Sequence, residues 1–336
     1  MRTEIFHYDL PNELIAQQPL PRGESRLLVL EKATGAIHHR QFADLRGWLH
    51  PSDLLVRNNT RVTAHRLFAA TETGAKIELI SIGQNRGGWH VIVRPAKRCP
   101  IGKRIRLDDS GSMAWAKVTA ITDDGGRIVM PEDDYAQHIL ECTGETPLPP
   151  YIHSRLSDPE RYQTVYATEG GSAAAPTAGL HFTGELLDGI EAMGVTITDI
   201  TLNIGIGTFR PVKTDSIGKH HMHSESANIP IPSAQAINAR PGRLVSVGTT
   251  CVRALETAAD DQGTVQPDTI NTDLFITPGY RFKVVDALLT NFHLPCSTLL
   301  MLVCAFAGIE PVLNAYQEAI RLRYRFFSFG DAMLII

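Results

Sequence analysis

Three histidines sit in loops whose composition suits a ligand. His181 lies near the end of Gly170-Gly171-Ser172-Ala173-Ala174-Ala175-Pro176-Thr177-Ala178-Gly179-Leu180-His181-Phe182, a small-residue run just before a helix cap at Thr183. Small side chains let backbone approach a ligand, and a helix N-terminus offers unpaired N–H groups to a carboxylate or phosphate. An imidazole placed there can give or take a proton. Two further glycine loops follow strands: Leu202-Asn203-Ile204-Gly205-Ile206-Gly207-Thr208-Phe209 and Val247-Gly248-Thr249-Thr250-Cys251-Val252-Arg253. Neither has the G-x-G-x-x-G spacing of a dinucleotide fold, which argues against a nicotinamide enzyme. In His220-His221-Met222-His223-Ser224-Glu225, His223 with His220 or His221 could ligate zinc. The spacing lacks H-E-x-x-H and no cysteine pair accompanies it, so a histidine–glutamate acid/base or orienting pair is preferred. His293, in Thr290-Asn291-Phe292-His293-Leu294-Pro295, fits a site residue or a satisfied core histidine equally well.

Two segments could meet nucleic acid. Arg94 to Arg106 contains Arg94, Lys97, Arg98, Lys103, Arg104 and Arg106 with no acidic residue, in a chain of net charge −4. If all six met duplex phosphates, log K would fall against log salt with a slope of roughly −5. The competing reading is a solvated basic edge that protects a barrel strand from pairing. Arg321 to Asp331 interleaves three arginines with Tyr324, Phe326, Phe327 and Phe329. Such a mixture can stack bases, but aromatics near a terminus more often belong to the core, the reading preferred here.

Regular elements must hold these loops. Leu27–Leu30, a Thr34-Gly35 turn and Ile37–Arg40 predict a hairpin, and Asp53–Arg57 a strand leading into Asn58-Asn59-Thr60-Arg61. Six short runs then lie between glycines: Arg66–Ala70, Lys76–Ile82, Trp89–Val93, Lys103–Leu107, Ala114–Ile121 and Arg127–Met130. They predict a small barrel or sandwich. After Tyr151 helices and strands alternate. Thr183 caps a helix Glu185–Met193 ended by Gly194, and Val195–Leu202 forms a strand. Apolar Leu244–Val247 leads into a helix Val252–Ala259; Ser297 caps Thr298–Ala307, and Pro311 opens Val312–Arg323. The expected architecture is an α/β main domain built from both chain ends, 1–61 and 148–336, with a small all-β, barrel-like domain inserted at 62–147. Open α/β sheets bind ligands at the carboxyl ends of their strands, which is where the glycine loops fall.

Composition narrows the class. The 336 residues are 43% hydrophobic and 20% charged, ordinary for a globular protein of about two domains. The longest nearly apolar run, Leu299 to Gly308, is short of the about 20 residues of a membrane span. Met1-Arg2-Thr3-Glu4 begins without a signal-peptide pattern. Five cysteines (99, 142, 251, 296, 304) without C-x-x-C spacing fit reduced thiols, so a cytoplasmic protein is expected.

Taken in order, the motifs resemble the S-adenosylmethionine:tRNA ribosyltransferase-isomerase family of queuosine biosynthesis. The resemblance runs from Phe6-His7-Tyr8-Asp9-Leu10-Pro11 to Gly330-Asp331-Ala332-Met333-Leu334. Its most specific stretches are Ala174–Phe182, Gly205-Ile206-Gly207-Thr208-Phe209-Arg210-Pro211-Val212, Met222–Glu225, Val247–Thr250, Pro278-Gly279-Tyr280-Arg281-Phe282, Thr290–Pro295 and Tyr324–Asp331. The chain departs from the family where Asn203 replaces a usual histidine, where Asn59 replaces an aspartate, and at Cys251, Cys296 and Cys304. Either the asparagine positions are not the family's acid/base, which is the reading taken, or this chain is a catalytically impaired tRNA-binding relative.

The resemblance implies transfer and isomerisation of the ribosyl part of S-adenosylmethionine onto 7-aminomethyl-7-deazaguanine (preQ1) at the tRNA wobble position. Epoxyqueuosine forms while adenine and methionine leave. The implied partners are S-adenosylmethionine as cosubstrate and tRNA with a GUN anticodon carrying preQ1, with no cofactor, metal or membrane, and a monomeric enzyme. His181, His223 and Glu225 are then the expected proton-transfer groups. Thr177, Gly179, Gly205, Gly207, Thr249, Thr250 and Arg253 are expected around S-adenosylmethionine, and Arg281, Asn291 and His293 around the nucleobase. Lys97, Arg98, Lys103, Arg104 and Arg325 are expected at tRNA phosphates. A metal-dependent hydrolase resting on the histidine cluster, and a non-catalytic RNA-binding protein, are the competing classes.

Overall fold

A computed structural model describes the chain except for Arg86, Ser110, Gly111, Asp123, Asp124, residues 206–211, Lys213, His221 and His223. It separates into two units, residues 1–60, 149–169 and 175–336, and residues 61–148 with 170–174. The stretch 170–174 thus groups with the second unit, although it falls in the range expected for the first.

The first unit is built on a nine-stranded mixed sheet. Its order is Thr269–Thr272, Glu225–Asn228, Thr196–Leu202, Leu54–Asn58, Leu244–Val247, Ala287–Asn291, Ala332–Ile335, Arg26–Leu30 and Ile37–Gln41. The four strands from Thr196–Leu202 to Ala287–Asn291 run parallel. Their apolar composition follows from burial on both faces: Leu244–Val247 and Ala287–Asn291 are buried at every position. Ala332–Ile335 runs antiparallel to Ala287–Asn291 and parallel to Arg26–Leu30, which in turn forms the expected hairpin with Ile37–Gln41. Both chain ends therefore meet in one sheet. Alternate residues (Leu27, Val29, Leu55, Val245, Leu289, Leu334) share one face with Phe42, Phe182 and Ile190, so one layer of core joins the sheet to the helix Gly184–Ala192.

Caps set the helix starts. The Thr183 hydroxyl accepts from Leu186 N at 3.1 Å, and Ser297 Oγ accepts from Leu300 N at 3.2 Å. The helix expected from Val252 begins three residues earlier, as Thr249–Ala258, because Gly248 turns the chain at φ +92°, a conformation open mainly to glycine. The last helix is Ile309–Arg321, so Pro311 is its third residue, not its first. Gly308 at φ +88° separates it from Thr298–Ala307, and a proline N–H is not missed within the first turn. Among the described residues no single helix is long and apolar enough to cross a membrane.

The second unit is a closed antiparallel barrel in the order Arg127–Pro131, Gly88–Arg94, Lys76–Asn85, His65–Thr71, Arg104–Asp109 and Ser112–Ile121. Alternation fills it with Leu67, Leu79, Val91, Val93, Ile105, Leu107 and Val118, with Ala114 and Ala116 relieving the crowding. A helix the sequence reading did not identify, Asp134–Cys142, adds Ala136, Ile139 and Leu140 to that core. Asp133 caps it by accepting from Ala136 N at 2.6 Å.

Candidate active site

The carboxyl edge of the parallel strands opens into a cleft. Strand ends contribute Ile204, Gly248–Thr250 and Thr290–Leu294, and the small-residue loop contributes Ala175, Pro176, Thr177 and Ala178. Because Ala332–Ile335 runs the opposite way, the residues before it reach the same edge, and Phe327 and Ser328 complete the wall with Tyr151. The helix Thr249–Ala258 begins at the cleft, so the N–H groups of its first turn have no partner within the helix. Thr250 Oγ1 is buried beside the Cys251 thiol, with no other hydrogen-bond partner among the described residues.

Three of these residues escaped the sequence reading. The Tyr151 and Phe327 rings lie 4.6 Å apart at 33°, and Tyr151 Oη is 2.6 Å from Ser328 Oγ. Phe327 holds a left-handed φ of +70°, fixed by its N–H on Phe292 O at 3.1 Å and by Gly330 N on its own carbonyl at 2.8 Å. A Cβ at Gly330 would stand 2.5 Å from Arg325 O, so only glycine allows this corner. The signal was present in the run Phe327-Ser328-Phe329-Gly330-Asp331, but apolar content alone does not tell a cleft wall from core. For Tyr324, Phe326 and Phe329 the core reading holds: all are buried.

Asn291 and His293 line the cleft, as does Thr177, whose hydroxyl donates to Asn291 Oδ1 at 2.7 Å. His293 Nε2 is 2.8 Å from Thr290 Oγ1, and burial pulls its pKa down to about 3. His181 lies behind Asn291, with Nε2 3.3 Å from Asn291 Nδ2 and Nδ1 3.0 Å from Ser25 Oγ. Burial first, then the positive charges of Arg325 and Arg22, lower its pKa to about 3. Both imidazoles are therefore neutral at physiological pH.

Other expected site residues stand apart from the cleft. Glu225 and Arg253 form a buried ion pair with each other. Arg253 also donates to the carbonyls of Leu274 (3.1 Å) and Thr272 (3.2 Å), and Glu225 Oε1 accepts from Gly205 N at 3.1 Å. The Arg253 guanidinium thus meets three protein acceptors. Gly179 packs where a Cβ would meet Tyr166 Oη at 2.0 Å, so close packing, not cleft lining, explains its size. Arg281 is exposed, beside a Tyr280 that bonds Glu256 at 3.2 Å and a Phe282 stacked edge-on against Phe306. His223 and Gly207 lie outside the described residues.

Asn59 and Asn203 serve neighbouring hydroxyls. Asn59 Oδ1 accepts from Thr201 Oγ1 at 2.7 Å, and Asn203 Oδ1 from Thr60 Oγ1 at 2.9 Å. In the barrel, Lys97 and Arg98 are exposed, while Lys103 pairs with Glu72 at 3.4 Å and Arg104 Nε with Glu132 at 2.7 Å. Arg325 is half-buried and donates to Gln18 O.

The chain matches the family described as queuosine biosynthesis protein over residues 3–335. It is 54% identical to a protein of Symbiobacterium thermophilum and 51% identical to one of Carboxydothermus hydrogenoformans, each over 100% of both chains. Both relatives are named S-adenosylmethionine:tRNA ribosyltransferase-isomerase. A crystal structure of the S-adenosylmethionine tRNA ribosyltransferase from Thermotoga maritima is 38% identical, with a TM-score of 0.55 over 99% of this chain and 100% of that one. With an end-to-end family match and relatives at half identity, this chain belongs to the queuosine biosynthesis protein family.

Proposed function

We propose that this chain is an S-adenosylmethionine:tRNA ribosyltransferase-isomerase acting on 7-aminomethyl-7-deazaguanine at the wobble position of tRNA with a GUN anticodon. The observation that carries this reading is the full-length identity to relatives bearing that enzyme name. The enzyme works as a cytoplasmic monomer, and its RNA substrate presents the wobble base from a single-stranded loop, where an unstacked base can enter a pocket.

The cleft supplies what the reaction needs. The methionine carboxylate sits on the first-turn N–H groups of Thr249–Ala258, the favourable end of a helix for an anion. This replaces Arg253, whose charge is spent on Glu225. A purine lies against the Tyr151 and Phe327 rings, with Asn291 and Thr177 meeting its polar edge or the ribose hydroxyls. The sulfonium of S-adenosylmethionine acidifies the adjacent C5′ hydrogens, adenine leaves with a proton, and the aminomethyl nitrogen attacks as a neutral amine. Among the described residues, neutral His293, at the wall with Thr290, is the imidazole at the cleft for proton transfer, which contributes about 10²–10⁴-fold per positioned group. The bonds that Asn59 and Asn203 make to Thr201 and Thr60 support an active chain, since both serve local packing.

The test is incubation of the purified protein with S-adenosylmethionine and an anticodon stem-loop carrying 7-aminomethyl-7-deazaguanine. Adenine release with an RNA mass gain of one epoxycyclopentane unit is expected. RNA binding without adenine release would identify an impaired relative instead.

A further inference from the structure

Behind the cleft wall, four side chains from three separate segments form one hydrogen-bonded line, Thr177 and His181 coming from the same short helix. Thr177 Oγ1 donates to Asn291 Oδ1 (2.7 Å), Asn291 Nδ2 faces His181 Nε2 (3.3 Å), and His181 Nδ1 faces Ser25 Oγ (3.0 Å). An amide nitrogen only donates, so Nε2 must accept, and the ring proton resides on Nδ1, where Ser25 Oγ receives it. Thr177 and Asn291 line the cleft; His181 and Ser25 do not, and border instead a separate small cavity with Arg22 and Arg161. The ring is stacked on Phe42 at 5.0 Å, and the positive charges of Arg22 and Arg325 act on it from two other segments. Among the described residues, burial and the charges around the ring disfavour an imidazolium, and neither nitrogen is left for a substrate proton.

We infer that His181 is a positioning residue, which as a neutral Nδ1–H imidazole locks the Asn291 amide so that one Nδ2 proton remains for the substrate. The acceptor it selects is a ring nitrogen or carbonyl oxygen of a bound nucleoside part. Asn291 Oδ1 accepts from Thr177 and one amide proton goes to His181, so with the ring proton on Nδ1 a flipped amide would set its oxygen against the bare Nε2. A ligand that offers a donor at this point meets a like group and is rejected. The inference rests on the enzymatic reading above and revises the expectation that His181 moves a proton.

The experiment measures adenine release, as kcat and KM against pH, for wild type, His181→Gln, His181→Phe and Asn291→Ala. Glutamine keeps an acceptor near the Nε2 position and has no titrating proton. His181→Gln is expected to keep kcat/KM within about tenfold of wild type with a superimposable pH profile, whereas His181→Phe and Asn291→Ala lose about a hundredfold or more. Three results overturn the inference: His181→Gln as inactive as His181→Phe while melting like wild type, loss of an ionisation from its pH profile, or near-normal turnover by His181→Phe. Nitrogen chemical shifts of the wild-type imidazole provide a readout independent of turnover and of mutant folding. A His181 ring protonated on Nδ1 and unchanged between about pH 5.5 and 8 is expected, and a titrating or Nε2-protonated ring overturns the inference. Failure of the wild type to release adenine would count against the enzymatic reading alone, since the tautomer is read separately.

Discussion

The two neutral histidines make stability depend on pH in a definite direction. His181 and His293 are held at pKa values of about 3, below the about 6.5 of a free imidazole, by burial in both cases and for His181 also by Arg325 and Arg22. Between those values the unfolded chain binds more protons than the folded one, so stability rises with pH there. Their full contribution is present above about pH 6.5 and is lost progressively as pH falls toward about 3. At about pH 5 each histidine costs about 2 kcal/mol relative to neutral pH. Urea midpoints should therefore fall from about pH 7.5 to 5, and His293→Gln should show a smaller fall than wild type; an equal fall would contradict the assignment. Glu225 leads to a different expectation. Glu225→Gln leaves Arg253 as an unpaired buried charge, costing about 3–5 kcal/mol of stability. A general base at this position would instead show in turnover, by about 10²–10⁴-fold. Denaturant titration beside adenine release per folded molecule separates the two, with a stability loss and turnover within about tenfold expected. Glu225 and Arg253 were legible as residue types near glycine loops, but their pairing was not. They are brought together by the contact of a strand with a helix, and no local pattern announces that.

Elements were easier to read than contacts, and the Gly248 junction shows why. A buried apolar strand running into a glycine and two threonines is a local signal, and the structure keeps Leu244–Val247, Gly248 and the helix start in immediate succession. Gly248→Ala would force a side chain into φ +92°, ψ 153°, a region almost confined to glycine, at a cost of about 1–3 kcal/mol. The added Cβ itself meets only ordinary contacts, Thr250 Oγ1 at 3.4 Å and Ala178 Cβ at 3.7 Å, so the penalty is one of backbone. Because the first turn of this helix is assigned to the methionine carboxylate, the variant should raise KM for S-adenosylmethionine more than it lowers kcat. A melting shift with an unchanged KM would remove the helix start from the binding site. The hairpin, the six barrel strands and the capped helices Gly184–Ala192 and Thr298–Ala307 were equally local, written in alternation, turns and caps. Several of the elements that escaped were weak by the same measure, although the helix Asp134–Cys142, capped by Asp133, was not. Ile231–Ala239 has no side-chain cap and little amphipathic contrast, while Glu225–Asn228 and Thr269–Thr272 are the two four-residue strands at one end of the sheet, defined by their neighbours.

At the scale of the whole molecule the question is how a chain of net charge −4 holds a polyanion. Arg94 to Arg106 is free of acidic residues along the chain, yet barrel closure brings Glu72 and Glu132, each just past the end of another strand, onto Lys103 and Arg104. A linear count of cations therefore overstates the charge available to RNA, because a phosphate would have to displace a carboxylate at two of the four positions. Lys97 and Arg98 are exposed at a one-turn helix beside the barrel strands, and the Arg98 side chain donates to the carbonyl of Lys76 at 2.7 Å, with no carboxylate on it among the described residues. Each phosphate contact contributes about −0.9 to the slope of log K against log salt on duplex, and about −0.7 on a single strand. Replacing Lys97 and Arg98 together by alanine should thus flatten the slope for the anticodon stem-loop by about 1.4–1.8. The Lys103→Ala, Arg104→Ala pair should change it by less, since those cations exchange one anionic partner for another. S-adenosylmethionine affinity should be the same in both double variants. Equal flattening by the two pairs would mean that Glu72 and Glu132 yield readily to phosphate. An unchanged slope in both would remove this edge of the barrel from the RNA-binding face and leave the tRNA to be held by other cations of the chain.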